Sequence, residues 1–128
     1  MTMAPLAEAT TGNVLLVIPC FNEARHIEGL LKQLVSAGHP RTTIVVADGR
    51  STDASARIVK SFAARDRAVK LVDNPQRLQG SGINRAVALY GDVADVMIRI
   101  DAHSDYPADY CRALLEEAQR TGADAVVV

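Results

Sequence analysis

No sign of charge dominates this 128-residue sequence: 14 Lys plus Arg stand against 15 Asp plus Glu, a formal net charge of -1. That balance leaves no electrostatic footprint for nucleic acid. A phosphorylated ligand stays open, because backbone amides and a metal ion can hold one without global basicity. Cysteine is scarce as well. Cys20 and Cys111 are too few for a disulfide framework and lie in no Cys-x-x-Cys or zinc pattern, so they read as reduced, buried thiols of a cytoplasmic protein. No apolar run is long enough to span a bilayer. Residues 1–13 lack the basic and apolar regions of a signal peptide and read as a disordered lead-in. Repeats and low-complexity stretches are absent, and a hydrophobic content of 48% excludes disorder for the remainder, 14–128.

What is present is an alternation of two hydrophobic periods. Val14 to Ile18 is a continuous apolar run that Pro19 stops, the pattern of a strand buried on both faces. Ile27, Leu30, Leu31, Leu34 and Val35 then form one helical stripe, ended by Gly38 and Pro40. A second strand covers Thr43 to Ala47. Ser51, Thr52 and Asp53 offer caps for a helix carrying Ile58, Val59 and Phe62. Val69 to Val72 is a third strand, broken by Asn74-Pro75. A helix from about Ser81 carries Ile83, Val87 and Tyr90 and closes at Gly91. Val96 to Ile100 is a fourth strand, and Pro107 suits the first turn of a helix with Tyr110, Leu114 and Ala118. Gly122 ends it before a fifth strand, Ala125 to Val128. Strands alternating with helices of about three turns predict an α/β fold, a mostly parallel sheet with helices on both faces. A chain that stops inside an apolar strand reads as truncated.

Glycine is missing where several nucleotide-binding folds need it. The turn after the first strand is Pro19-Cys20-Phe21-Asn22-Glu23, with no glycine before Gly29, which excludes a dinucleotide-binding oxidoreductase. No Gly-x-x-x-x-Gly-Lys run exists for a P-loop. A sugar nucleotidyltransferase would want a Gly-rich, basic loop at the same place.

Ligands of open parallel sheets bind outside the carboxyl ends of the strands, and here every strand end carries a carboxylate: Glu23, Asp48, Asp73 and Asp101. Asp101 and His103, two apart in an extended segment, can point to one side. A carboxylate oxygen with an imidazole nitrogen suits Mn²⁺ or Mg²⁺ and leaves coordination positions for diphosphate oxygens. The plainer reading makes Asp101 a turn cap and His103 a solvated loop residue. Asp48 can accept from a base N–H or a ribose hydroxyl, or be a turn residue satisfied by local amides. Asn22 and Glu23 are accounted for by helix capping and an acidic first turn; a functional account turns Glu23 toward a nucleoside. Arg77 is the best single candidate to meet a phosphate or uracil. His26 and His39 have no partner pattern and read as solvated.

These segments resemble family 2 glycosyltransferases. Val17-Ile18-Pro19-Cys20-Phe21-Asn22-Glu23 is similar to the family's first-strand signature. Asp48-Gly49-Arg50-Ser51-Thr52-Asp53 is similar to its second-strand acidic motif, with Arg50 where Gly or Ser is more usual. Asn74 to Gln79, then Asn84, resembles the third-strand segment and the helix after it. Ile98 to His103 occupies the place of the Asp-x-Asp metal motif, with His103 as the departure. Asp105-Tyr106-Pro107 and Tyr110-Cys111 resemble the branch that builds bacterial exopolysaccharides of the succinoglycan type, in which an Asp-Ala-His motif is familiar.

The resemblance implies a GT-A fold, a UDP-sugar donor, a divalent metal, Mn²⁺ or Mg²⁺, and inversion at the anomeric carbon. It assigns Pro19, Phe21, Asn22, Glu23, Asp48, Arg77, Asn84, Asp101 and Ala102 to the nucleotide-sugar site, with Asp48 on the uracil and Asp101 and His103 as metal ligands. The general base of the family comes from a later acidic motif, expected beyond Val128, so none is assigned. The acceptor would be a glycan or lipid-linked sugar, and the parent protein would work at the inner face of the cell membrane. The rival expectation is a partial or degenerate domain without catalysis, self-associating through an exposed sheet edge.

Overall fold

The computed structural model describes residues 12–37, 40–103, 106–107, 109–121 and 125–127. Within them the chain runs β1 (Val14–Cys20), α1 (Ala24–Ala37), β2 (Thr42–Asp48), α2 (Ser55–Arg65), β3 (Val69–Asp73), α3 (Gln79–Tyr90), a 3-10 turn (Gly91–Val93), β4 (Val96–Arg99), α4 (Tyr110–Thr121) and β5 (Ala125–Val127). All strand pairs are parallel, in the order β3-β2-β1-β4-β5. The alternation expected from sequence is therefore present. The expected helix stops Gly38 and Gly122, together with His39, Asp105 and Val128, lie outside the described residues, as does most of the lead-in.

β1 is the centre of the sheet, and Val14 through Ile18 are at most 2% exposed. Pro19 does not stop it. Its ring nitrogen replaces a donor on the β4 side, where β4 has already ended: the register closes at Val17↔Arg99, and the last bond runs from the Ile100 N–H to the Val17 carbonyl. On the other side β1 continues to Cys20, opposite Asp48. A proline is tolerated in a central strand where no partner needs its N–H. Asn13, placed by sequence in the lead-in, is tied down: its N–H donates to Asp95 Oδ2 at 2.8 Å and its carboxamide to the Val93 carbonyl at 2.9 Å.

The two sheet faces are covered unequally. Ile27, Leu30, Leu31 and Leu34 of α1, Val59 and Phe62 of α2, and Cys111 and Leu115 of α4 pack against one face. On the other, Leu15, Val17, Val45 and Val72 meet α3 through Ala86, Ile83 and Tyr90. α3 starts at Gln79, two residues earlier than expected. α4 starts at Tyr110, so Pro107 sits one turn before it and its carbonyl accepts from the Tyr110 N–H.

Two loops at the carboxyl rim brace each other. Asn22 does not cap α1 as expected. Its Oδ1 accepts from the N–H groups of Thr52 (2.7 Å) and Asp53 (3.2 Å) in the loop after β2. The favour is returned: Asp53 Oδ2 accepts from the Ala24 N–H at 3.1 Å, Ser51 Oγ from the Asn22 N–H at 2.8 Å, and the buried Ser55 Oγ from the Glu23 N–H at 2.9 Å. The loop after β2 thus supplies an acceptor for the first N–H of α1, while Asn22 satisfies two amides of that loop ahead of α2.

Leu31 is fully buried, and Leu31→Ala is expected to lower stability by about 3 kcal/mol, read as a lower urea midpoint with an unchanged slope. Hydrogen bonding from the Ser55 side chain, then from backbone N–H groups, holds the Asp53 carboxyl below its ordinary value. Its contribution is complete above the unfolded carboxyl's value, about pH 4, and is lost as pH falls through the lower folded value. Asp53→Asn has no proton to gain there, so its urea midpoint should fall less than the parent's on acidification below about pH 4; coincident pH profiles would contradict this role.

Candidate donor site at the strand ends

The parallel register carries the chemistry-bearing residues to one rim. Cys20 pairs with Asp48 and Asp48 with Asp73, while the Ile100 N–H on Val17 brings Asp101 up beside the end of β1. A small cleft of about 90 Å³ opens there. Pro19, Phe21, Glu23, Arg77, Asp101 and His103, all singled out from sequence, line it. Asn22, Asp48, Asn84 and Ala102 do not. Asn22 is committed to the loop brace described above. Ala102 is 1% exposed and packs into the core, which leaves only its backbone for a ligand. Asn84 stands on the exposed side of α3.

Asp48 is 6% exposed, and its carboxylate is engaged locally: Oδ1 accepts from the Ser51 hydroxyl at 2.6 Å and Oδ2 from the Ser51 N–H at 3.0 Å. Two acceptor positions per oxygen leave room for a further donor. Beside it, burial first and the Asp48 charge second push the Cys20 thiol up to about 12. Cys20 is therefore a neutral packing group at the cleft floor, not a nucleophile.

The wall nearest β4 is ionic. Glu23 Oε2 lies 3.4 Å from His103 Nδ1, and His103 Nε2 lies 3.7 Å from Asp101 Oδ2. The other Glu23 oxygen, Oε1, is 3.3 Å from His26 Nδ1, so His26 has a partner and is not simply solvated. Tyr106, stacked on Tyr110 with centroids 5.1 Å apart, donates its hydroxyl to the Asp101 carbonyl at 3.3 Å and braces that turn. Two donors each about 2.1 Å from one ion stand at most about 4.2 Å apart, so Asp101 Oδ2 and His103 Nε2 fit a shared divalent cation. Among the described residues no third His, Cys, Asp or Glu joins them. The remaining positions would fall to ligand or water.

An aromatic ring and a cation also line the cleft. The Arg77 guanidinium lies 5.9 Å from the centroid of Phe21, whose ring is 46% exposed. Arg77 is held at φ 67°, with its N–H on the Asn74 carbonyl at 3.0 Å. A Cβ on Gly49 would stand 3.2 Å from Arg77 Cα, so glycine is what lets the β2 and β3 loops touch. Arg50 also lies in the left-handed region, at φ 62°, which explains why glycine is the more usual residue there. It forks onto Asp73 with both distances 3.4 Å.

Sequence reasoning missed Asn74 and Gln79. Asn74, read only as a strand breaker, is 2% exposed; its Nδ2 donates to the Leu78 carbonyl at 2.8 Å and its Oδ1 accepts from Ser81 Oγ at 2.9 Å, which fixes the start of α3. Its one visible signal was its place between a strand and a proline. Gln79 accepts from Arg99 across the cleft wall. Nothing in local spacing announces that pair.

Comparison with known proteins identifies the family and the fold. The sequence model of glycosyl transferase family 2 matches residues 15–128. The succinoglycan biosynthesis protein ExoA of Rhizobium meliloti (strain 1021) is 49% identical over 122 residues, covering 94% of this chain and 37% of that protein. The chain thus spans well under half the length of this relative. Mannosyltransferase PcManGT from Pyrobaculum calidifontis, solved with GDP-Man and Mn²⁺, superposes with a TM-score of 0.69 at 24% identity, over 84% of this chain and 32% of that one. Glucosyl-3-phosphoglycerate synthase from Mycobacterium tuberculosis, solved with Mn²⁺, UDP and glucosyl-3-phosphoglycerate, gives 0.60 at 20% identity, over 80% and 38%. The fold is that of the GT-A glycosyltransferases, and this chain belongs to glycosyl transferase family 2.

Proposed function

We propose that the chain is the donor-binding part of an inverting glycosyltransferase that takes a UDP-sugar with Mn²⁺ or Mg²⁺ and serves a polysaccharide or lipid-linked acceptor. The observation that carries this reading is the pairing of Asp101 and His103 in a cleft that Phe21 and Arg77 also line. A flat apolar ring and a fixed cation suit a base and a phosphate. A bound divalent ion would neutralise the charge that develops on a diphosphate leaving group. Asp101 and His103 would hold it, and Arg77 would add a second positive charge to the same oxygens. The names of similar proteins support the reading: one relative is a succinoglycan biosynthesis protein, and proteins of the same fold were solved with UDP or GDP-Man and Mn²⁺.

No described residue is assigned as the base that accepts the acceptor's proton; the proposal gives that role, and the acceptor site, to segments outside these residues. It also gives the whole protein a place at the cytoplasmic face of the membrane. No helix among the described residues is long and apolar enough to cross a bilayer. Association between copies through the β5 edge is a further part of the proposal.

Calorimetric titration with UDP, with and without Mn²⁺, tests the donor site. Binding should require the metal and weaken by about tenfold or more for Asp101→Ala and for His103→Ala. Metal-independent binding, or none by a folded sample, favours an inert fragment instead. Arg77→Ala should weaken UDP binding by about tenfold while Mn²⁺ uptake in the absence of nucleotide is unchanged.

A further inference from the structure

His103 differs from a carboxylate ligand in one respect that matters. A carboxylate offers a lone pair from either oxygen in any orientation. A neutral imidazole offers only one, and which nitrogen carries it depends on what the other nitrogen bonds. The two nitrogens of His103 face two different carboxylates, Glu23 at Nδ1 (3.4 Å) and Asp101 at Nε2 (3.7 Å). If the proton sits on Nε2, it points at Asp101 and no lone pair is left for a cation there. With the proton on Nδ1, Nε2 and Asp101 present two donors to the same point.

Glu23 is well fixed for choosing between these forms. Its N–H is held by Ser55 Oγ at 2.9 Å, its carbonyl accepts from the N–H groups of His26 and Ile27 at 2.9 Å each, and its side chain is 20% exposed. We propose that Glu23 is a positioning residue: it accepts the Nδ1 proton of His103 and so keeps Nε2 free to share a divalent cation with Asp101. The inference rests on the donor-site reading and adds to it a role for the residue after β1 that does not involve touching the nucleotide. The other Glu23 oxygen lies 3.3 Å from His26 Nδ1 and takes no part in this role.

The test is made on the whole chain, first without metal and at a pH where the imidazole is neutral. Long-range ¹⁵N–¹H spectra should show His103 protonated at Nδ1 in the parent chain and at Nε2 in Glu23→Ala. Mn²⁺ uptake, followed by the electron-spin resonance of the free ion, should weaken by about tenfold or more in Glu23→Ala. Glu23→Gln should restore most of both, because its amide oxygen still accepts from Nδ1. His26→Ala removes the other partner of Glu23 and should change neither. The backbone bonds of Glu23 do not involve its side chain, so circular dichroism of these variants should match the parent. Parent-like tautomer and Mn²⁺ affinity in Glu23→Ala overturn the inference while the donor site stands, provided Asp101→Ala loses the ion. Equal Mn²⁺ uptake by the parent and Asp101→Ala overturns the donor-site reading and, with it, the purpose assigned to Glu23.

Discussion

The rim of this sheet depends on an exchange of hydrogen bonds between the loops that follow β1 and β2. A helix start leaves N–H groups without partners, and the usual remedy is a cap from the residue just before. Here partners come from across the rim: Asn22 serves Thr52 and Asp53, while Ser51, Asp53 and Ser55 serve Asn22, Ala24 and Glu23. Asn22 takes a left-handed conformation, φ 53°, to do so. The strain is of the kind that persists only where surroundings over-determine it. Its effect is to fix Phe21 and Glu23 relative to β2, although both belong to the end of β1.

Strand order does the rest. The chain lays β2 and β3 on one side of β1 and then returns to lay β4 and β5 on the other. The connections leaving β1 and β4 therefore part in opposite directions, and a crevice opens between them at the carboxyl ends. That crevice is where Glu23, from one side, meets Asp101 and His103, from the other. A larger depression, about 370 Å³, lies between α1 and α4 beside Lys32 and Arg112, yet no strand end feeds it and it gathers no comparable set of ligands. Size alone is a poor guide here; topology is a better one.

The strands, the helical stripes and the acidic rim were legible in the sequence because each is periodic or adjacent in the chain. Val14 to Ile18 can only be a buried run, and Asp101 must follow a strand end whatever the sheet order. What was not legible depends on partners far apart in sequence. Asn22 is a good cap residue in any reading, but nothing nearby says that it binds the amides of the loop after the next strand. Pro19 reads as a terminator until β4 is known to end before it. Asn74 looks like turn punctuation until Gly82 is seen to sit so close that an added Cβ would stand 3.0 Å from its side chain. The link from His103 to Glu23 spans most of the chain and follows from the placement of β4 beside β1, not from any motif.

The unequal cover of the sheet has a mechanical consequence. α3 is the single described helix over its face, carries Gly80 and Gly82, and opens at Leu78 without a side-chain cap. Asn74 holds its first turn from the end of β3, donating to the Leu78 carbonyl and accepting from the Ser81 hydroxyl. Leu78 and Gln79 are at once the start of α3 and part of the cleft wall. The seating of α3 on the sheet therefore reaches the cleft through its first turn, whereas Asp101 and His103 follow β4, which is paired with β1. At about 90 Å³ the crevice is below the usual size of a small-molecule site, and the wall that α3 supplies belongs to the more thinly covered face of the sheet.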